Sequence, residues 1–280
     1  SERPFTLTPD PSFLFWSKQH QRAFAVLEYG LMARTPITLI TGEIGSGKTT
    51  ILRAFLKDID PEITVGLISN AQGGRGELIQ WILNALSIPV EPGSSYVSMF
   101  QLLQETLVSE YAAGRRVVLI FDEAQNLSIE GLEELRMLTN INSGKDELVQ
   151  LVLVGQPELR DMVKSPRMKQ LAQRVTASFH LQPLEKKAVT DYVRHRLQVA
   201  GGTGNEISRP AAELIHQASG GVPRLVNQLC EFALLYAWAA EKKTVSVATV
   251  RNVLNDGVSF SVEAAPLVLG VQFSKGSAAE

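Results

Sequence analysis

The chain has 280 residues, 45% of them hydrophobic and 20% charged, and carries a formal net charge of −2. That is enough apolar material for a sizeable core, and it predicts a soluble globular protein divided into a large and a small domain. The charge gives no global field for nucleic acid or an anionic membrane, the single cysteine (Cys230) excludes an internal disulfide framework, and four scattered histidines give no metal-ligand spacing.

Residues 1–16 are expected as an N-terminal arm. Three prolines exclude regular structure, and Phe5, Phe13, Phe15 and Trp16 either cover the core or wall a base pocket. Ser17 is placed as the N-cap of a helix running to Ala33, with Phe24, Leu27 and Leu31 at helical spacing, and Arg34-Thr35-Pro36 ends it. The β-branched run Ile37 to Ile40 then leads into Gly42-Glu43-Ile44-Gly45-Ser46-Gly47-Lys48-Thr49, and Thr50 to Ile59 is helix-compatible. Strand, glycine loop and helix together are a P-loop in its required context. Its backbone N–H groups can wrap a phosphate, and the helix adds its positive N-terminal end. Lys48 is expected to reach the β- and γ-phosphates, with Thr49 on Mg²⁺ and Thr50 completing the nucleotide-binding set. The pattern predicts a nucleoside triphosphate site.

A second strand is expected at residues 63–69, a Gly-rich turn from Asn70 to Gly76, and a helix marked by Leu78, Ile79, Ile82, Leu83 and Leu86. Tyr96 to Ala113 is expected as a helix with Phe100, Leu103, Leu107 and Tyr111 on one face, ending at Gly114. Arg115 to Glu123 forms a third strand, apolar through its middle as a central parallel strand requires. A helix over Leu127–Asn140, a strand over Leu148–Val154, and a helix from Pro157 with a break near Ser165-Pro166 follow. Val175 to Leu181 is the fifth strand and Leu184 to Val199 a helix. Gly201 to Gly204 marks a boundary, which divides the chain into an ATPase-like core over 17–200 and a helical lid over 205–256. The lid contains helices at Arg209–Ser219, Pro223–Ala240 and Ser246–Asp256, with Cys230 buried in the second; residues 257–280 form a tail.

Five further positions are singled out for chemistry. Asp122 and Glu123 end a strand where doubly wound sheets present ligands, so Asp122 is expected to hold Mg²⁺ and Glu123 to deprotonate the attacking water. Gln156, after the fourth strand, either reads the γ-phosphate or is an ordinary turn residue. Arg174, at a helix–strand junction, is either a finger donated to a neighbouring subunit's phosphates or a surface arginine, with Arg160 and Arg167 as rivals. Arg224 follows Gly220-Gly221-Val222-Pro223, which fixes the start of a lid helix and aims the arginine at its own subunit's phosphates.

These residues together resemble an AAA+ ATPase, with Walker A at 42–49, Walker B at 117–123, a sensor at Gln156, a finger at Arg174 and a second sensor at Arg224. The N-terminal arm from Pro4, the Thr-Gly-Glu loop, the run Phe121-Asp-Glu-Ala-Gln-Asn-Leu127 and Leu153-Val-Gly-Gln-Pro-Glu-Leu159 are similar to the ExeA/GspA-type branch associated with general secretion. The resemblance implies a parallel α/β fold with a helical lid, ATP hydrolysis with Mg²⁺, and a homo-oligomer, ring or filament; with no visible signal peptide and no apolar run near the ~20 residues of a membrane span, a cytoplasmic protein without stable membrane insertion is expected. It also implies protein partners in an envelope or secretion complex. Related proteins of Tn7- and Mu-like transposition systems share the Asp-Glu-x-Gln pattern, which makes DNA a second candidate partner, contacted by Arg75, Lys145, Lys164, Arg167 and Lys169.

Overall fold

Each apolar run expected to be a strand lies in one parallel sheet. The structure, a computed structural model, describes residues 3–6, 13–69, 77–143 and 146–257. In chain order the elements are α1 (Lys18–Met32), β1 (Ile37–Gly42), α2 (Lys48–Asp58), β2 (Ile63–Ser69), α3 (Glu77–Ala85), α4 (Tyr96–Ala112), β3 (Arg116–Asp122) and α5 (Ile129–Leu138). There follow β4 (Asn142–Ser143), β5 (Asp146–Glu147), β6 (Val149–Gly155), α6 (Pro157–Lys164), α7 (Lys169–Arg174), β7 (Val175–Leu181), α8 (Lys186–Val199), α9 (Arg209–Ser219), α10 (Pro223–Ala239) and α11 (Val247–Asn255).

The sheet runs β2-β3-β6-β1-β7, every neighbouring pair parallel. Alternation along β3 explains why both faces are covered. Val117, Leu119 and Phe121 share a buried cluster with Ile79 and Leu83 of α3, Leu103 of α4 and Leu135 of α5. Val118 and Ile120 meet Leu27, Ile51 and Phe55 of α1 and α2 on the other side. Because all five strands point the same way, the segments leaving β1, β3 and β6 emerge side by side at one edge.

Several expectations are corrected by packing. Tyr111 does not bury with Leu103 and Leu107; it is 40% exposed and its hydroxyl donates to Asp146 Oδ2 at 2.6 Å, while Met99 takes the inward position. The helix expected from Leu127 starts at Ile129, capped by Ser128, because residues 124–126 form a separate 3₁₀ turn. The antiparallel pair β4–β5 carries too few residues to leave a periodic signal. Helix α8 is expected with the core, yet Val189, Tyr192, Val193 and Leu197 pack with α9, α10 and α11, so its apolar stripe belongs to the lid bundle. Phe5 and Phe13 are buried at the same bundle: Phe5 lies in its apolar cluster, and the Arg196 guanidinium covers the Phe13 ring at 4.7 Å. Trp16 stays partly exposed, edge-on to Phe24. Cys230 is fully buried in that bundle, which pushes its thiol above the usual range and away from nucleophilic chemistry. Among the described residues no helix is long and apolar enough to cross a membrane. The turn expected over 70–76, Lys145 and the tail beyond Gly257 lie outside the described residues.

Candidate functional site

The loop after β1 turns sharply. Gly45 and Gly47 hold φ of 77° and 102°, a region that costs a side chain about 1–3 kcal/mol. Gly45 is also crowded, since a Cβ there would stand 2.4 Å from Cβ of Arg224. The backbone N–H of Arg224 donates to the Gly45 carbonyl at 3.2 Å, so the first turn of α10 is seated directly on the loop. Arg224 thus belongs beside the phosphate loop of its own chain, and Pro223 at the helix start, lacking an N–H, leaves that turn free to dock.

Gly42 ends β1, and Glu43 and Ile44 cross the top of the loop with Ile44 exposed. Lys48, the first residue of α2, folds back so that Nζ donates to the carbonyls of Gly42 at 2.7 Å and Glu43 at 3.0 Å. An ammonium has three donors, which leaves one for an oxygen above the loop. Burial lowers the Lys48 pKa, and the charges of Glu123 and Asp122 work against that shift. Ser46 Oγ is buried without a hydrogen-bond partner. An orphaned hydroxyl inside a ring of glycines with a buried lysine below fits a phosphate. Thr50 follows Thr49 in the first turn of α2.

Asp122 ends β3, and Thr49 Oγ1 donates to its Oδ2 at 3.2 Å, across from the loop. Burial raises the Asp122 pKa, opposed by the backbone N–H of Glu123, which donates to Oδ1 at 3.0 Å. Among the described residues no cluster of three or more His, Cys, Asp or Glu side chains could hold a metal by itself. A hydroxyl and one carboxylate do fit Mg²⁺, which keeps most of its waters and shares phosphate oxygens. Thr49 and Asp122 are the residues that would hold it.

Glu123 sits in the left-handed region at φ 55°, which turns its side chain back toward the edge of the sheet. Since β6 lies between β3 and β1, Gln156 at the end of β6 stands next to it, and Gln156 Nε2 donates to Glu123 Oε2 at 3.2 Å. Gln125 donates to the same oxygen. The structure therefore brings together 42–50, Asp122, Glu123, Gln156 and Arg224.

Arg174 lies elsewhere. Val175 pairs with Ile37, so the arginine adjoins the start of β1, the opposite edge from the loop. Six residues of β1 separate the two, about 17–20 Å at the rise of an extended strand. Its guanidinium bonds Glu147 Oε1 at 3.2 Å, the Thr139 carbonyl and Asn140, with the side chain 35% exposed. Arg160 is on the loop side instead: its charge, after burial, helps lower the pKa of His180, which bonds Thr41 Oγ1 near the end of β1. Arg167 lies in a 3₁₀ turn between α6 and α7.

Sequence reasoning did not find His20. Its Nε2 bonds the Ser46 carbonyl at 3.1 Å and its Nδ1 meets Ser17 Oγ at 2.6 Å, so the first turn of α1 props the loop from below. Burial lowers its pKa, and the bond to Ser46 works the other way. A neutral ring donating from Nε2 satisfies both contacts. The signal was the Ser17–His20 spacing at a helix start, read only as a cap.

Comparison with known proteins bears on the family and the fold. The AAA domain family matches residues 32–163. General secretion pathway protein A of Aeromonas hydrophila is 41% identical over 239 residues, which make up 85% of this chain and 44% of that protein. The chain thus spans less than half the length of that curated relative. Among solved structures, Cdc6p of Pyrobaculum aerophilum is similar with a TM-score of 0.71 at 19% identity, over 92% of this chain and 71% of that one. The ORC2 protein of Aeropyrum pernix has a TM-score of 0.65 at 17% identity, over 93% and 72% of the respective chains. At such identities these two structures speak for the fold, an α/β P-loop fold.

Proposed function

We propose a function from one premise: the chain belongs to the AAA+ ATPases of the ExeA/GspA type. It binds ATP and hydrolyses it to ADP and phosphate as an oligomer, serving as an assembly factor for a secretion or envelope complex. The observation that carries this is the convergence of Lys48, Thr49, Asp122, Glu123 and Gln156 at one sheet edge, tied by the Thr49–Asp122 bond of 3.2 Å.

The residues divide the work. Loop N–H groups and Lys48 cradle the β- and γ-phosphates, and Glu123 orients the water and accepts its proton. Mg²⁺, when held by Thr49 and Asp122, would supply charge neutralisation at the phosphates. Gln156 stands where an amide can contact both Glu123 and the terminal phosphate. Arg224 joins lid position to nucleotide state through its contact with Gly45. Arg174 cannot serve the site of its own chain from the opposite edge, which supports a role in a neighbouring subunit's site.

The secretion role follows from the likeness to general secretion pathway protein A. The test is Glu123→Gln, which keeps shape but removes the base. Nucleotide should bind and persist as ATP, turnover should fall by about 10²–10⁴-fold, and light scattering should report a larger ATP-dependent assembly. Hydrolysis at the parent rate would remove Glu123 from that role. Steeply salt-dependent, ATP-dependent binding of duplex DNA would instead move the biological role toward target selection on DNA.

A further inference from the structure

Gln125 is the third residue of the Glu-Ala-Gln run, and the division of work proposed above gives it no part. The 3₁₀ turn over residues 124–126 swings it back alongside Glu123. There Nε2 donates to Glu123 Oε2 at 2.6 Å, while Oε1 accepts from the backbone N–H of Gln156 at 3.0 Å. The orientation of this amide is fixed by chemistry. A backbone N–H can only donate and a carboxylate can only accept, so a flipped amide would lose both bonds at once.

The end of β6 is shaped to receive it. A Cβ at Gly155 would stand 2.8 Å from Gln125 Oε1 and 2.7 Å from a Leu159 methyl carbon, so glycine there lets the amide reach the strand end. Gln156 then adds a second donor to Glu123 Oε2 at 3.2 Å. Both amides converge on one oxygen, and among the described residues no donor reaches the other, Oε1.

We propose that Gln125 is a positioning residue for Glu123, holding the carboxylate by Oε2 so that Oε1 faces the attacking water. This rests on the assignment of Glu123 as the base. In the step served, the water oxygen bonds the γ-phosphorus as the bond to the β,γ-bridging oxygen breaks. The electron pair of that bond leaves with ADP, and the water proton passes to Oε1. A carboxylate free to rotate would spend most of its time in unproductive orientations, so the effect falls on turnover rather than on nucleotide binding.

The test compares Gln125→Met, which keeps length without hydrogen bonding, and Gln125→Glu, which keeps the acceptor for Gln156 but sets a second carboxylate against Glu123. Turnover, KM, affinity for a fluorescent ATP analogue and thermal midpoint are measured on the intact chain, with Glu123→Gln as control. Gln125→Met should lower kcat by roughly 10²-fold, with KM, affinity and midpoint close to the parent, and Gln125→Glu should lower it further. Parent-like kcat in Gln125→Met, with Glu123→Gln inactive, would overturn the proposal while leaving the base assignment intact. Parallel losses of affinity and midpoint in both variants would mark Gln125 as structural and would also overturn it. Parent-like hydrolysis by Glu123→Gln would remove the base assignment itself.

Discussion

The two ends of the parallel sheet hold their polar side chains in different ways. At the end where β1, β3 and β6 release their loops, side chains bond one another across elements: Thr49 to Asp122, Gln125 and Gln156 to Glu123, His20 to the loop carbonyl. All bear on a single point. At the other end, arginines are held by acids and carbonyls remote from the loop: Arg115 by Glu110, Arg116 by the Leu31 carbonyl, Arg174 by Glu147, Asn140 and the Thr139 carbonyl. Under the proposed function the first arrangement is the reaction centre, with Lys48 and Arg224 of the same chain beside the loop. The second carries cations with no phosphate of their own chain to meet. An account in which the two ends of different subunits meet joins these facts.

That comparison breaks most visibly at Arg174. If it completes a neighbour's site, Arg174→Ala should bind ATP close to the parent yet turn it over about 10³–10⁵-fold more slowly, the range attributed to such arginines. Steady-state hydrolysis beside analogue titration checks this. Were Arg174 only a pin between α7 and β5, the loss would appear in the thermal midpoint instead.

A smaller effect is expected at the loop end. Gly45→Ala forces a side chain into φ 77° and drives its Cβ against Arg224. The variant should lose about 1–3 kcal/mol in denaturant unfolding. Its lid should also sit away from the loop, which raises KM for ATP. Unchanged KM would separate the lid contact from nucleotide binding.

The smallest effect sharpens the contrast at the other end. Glu110 is lowered from its usual 4.5 to about 2, first by the Arg115 hydrogen bonds and then by the Thr64 hydroxyl. A carboxylate depressed on folding stabilises the fold above its unfolded value and loses that contribution as pH falls from about 4.5 toward 2. Glu110→Gln should therefore flatten part of the acid limb of a stability profile and leave hydrolysis untouched. Such a surface pair is worth less than about 1 kcal/mol.

The strands and the phosphate loop were legible because each is local. Ile37 to Thr49 carries its own strand run, glycines and lysine, and Val117 to Asp122 its own unbroken apolar stretch. What escaped depends on pairs far apart in the chain. Nothing near Gln125 says that it will meet the N–H of Gln156, and nothing near Tyr111 says that Asp146 will draw its hydroxyl to the surface. The stripe on α8 was visible, but its partner could not be read, because the same apolar spacing fits a sheet face or a helical bundle. His20 was missed because a capped helix start already accounted for Ser17.

The central claim is that one active site is built from two chains, and mixing two dead variants tests it most directly. Lys48→Ala has an intact Arg174 but a failed loop; Arg174→Ala has an intact loop but no finger. Combined at varying ratios, they should recover hydrolysis that peaks at intermediate proportions, because only mixed interfaces pair an intact loop with an intact arginine. Activity that stays at the sum of the two separate backgrounds across all ratios would contradict the claim.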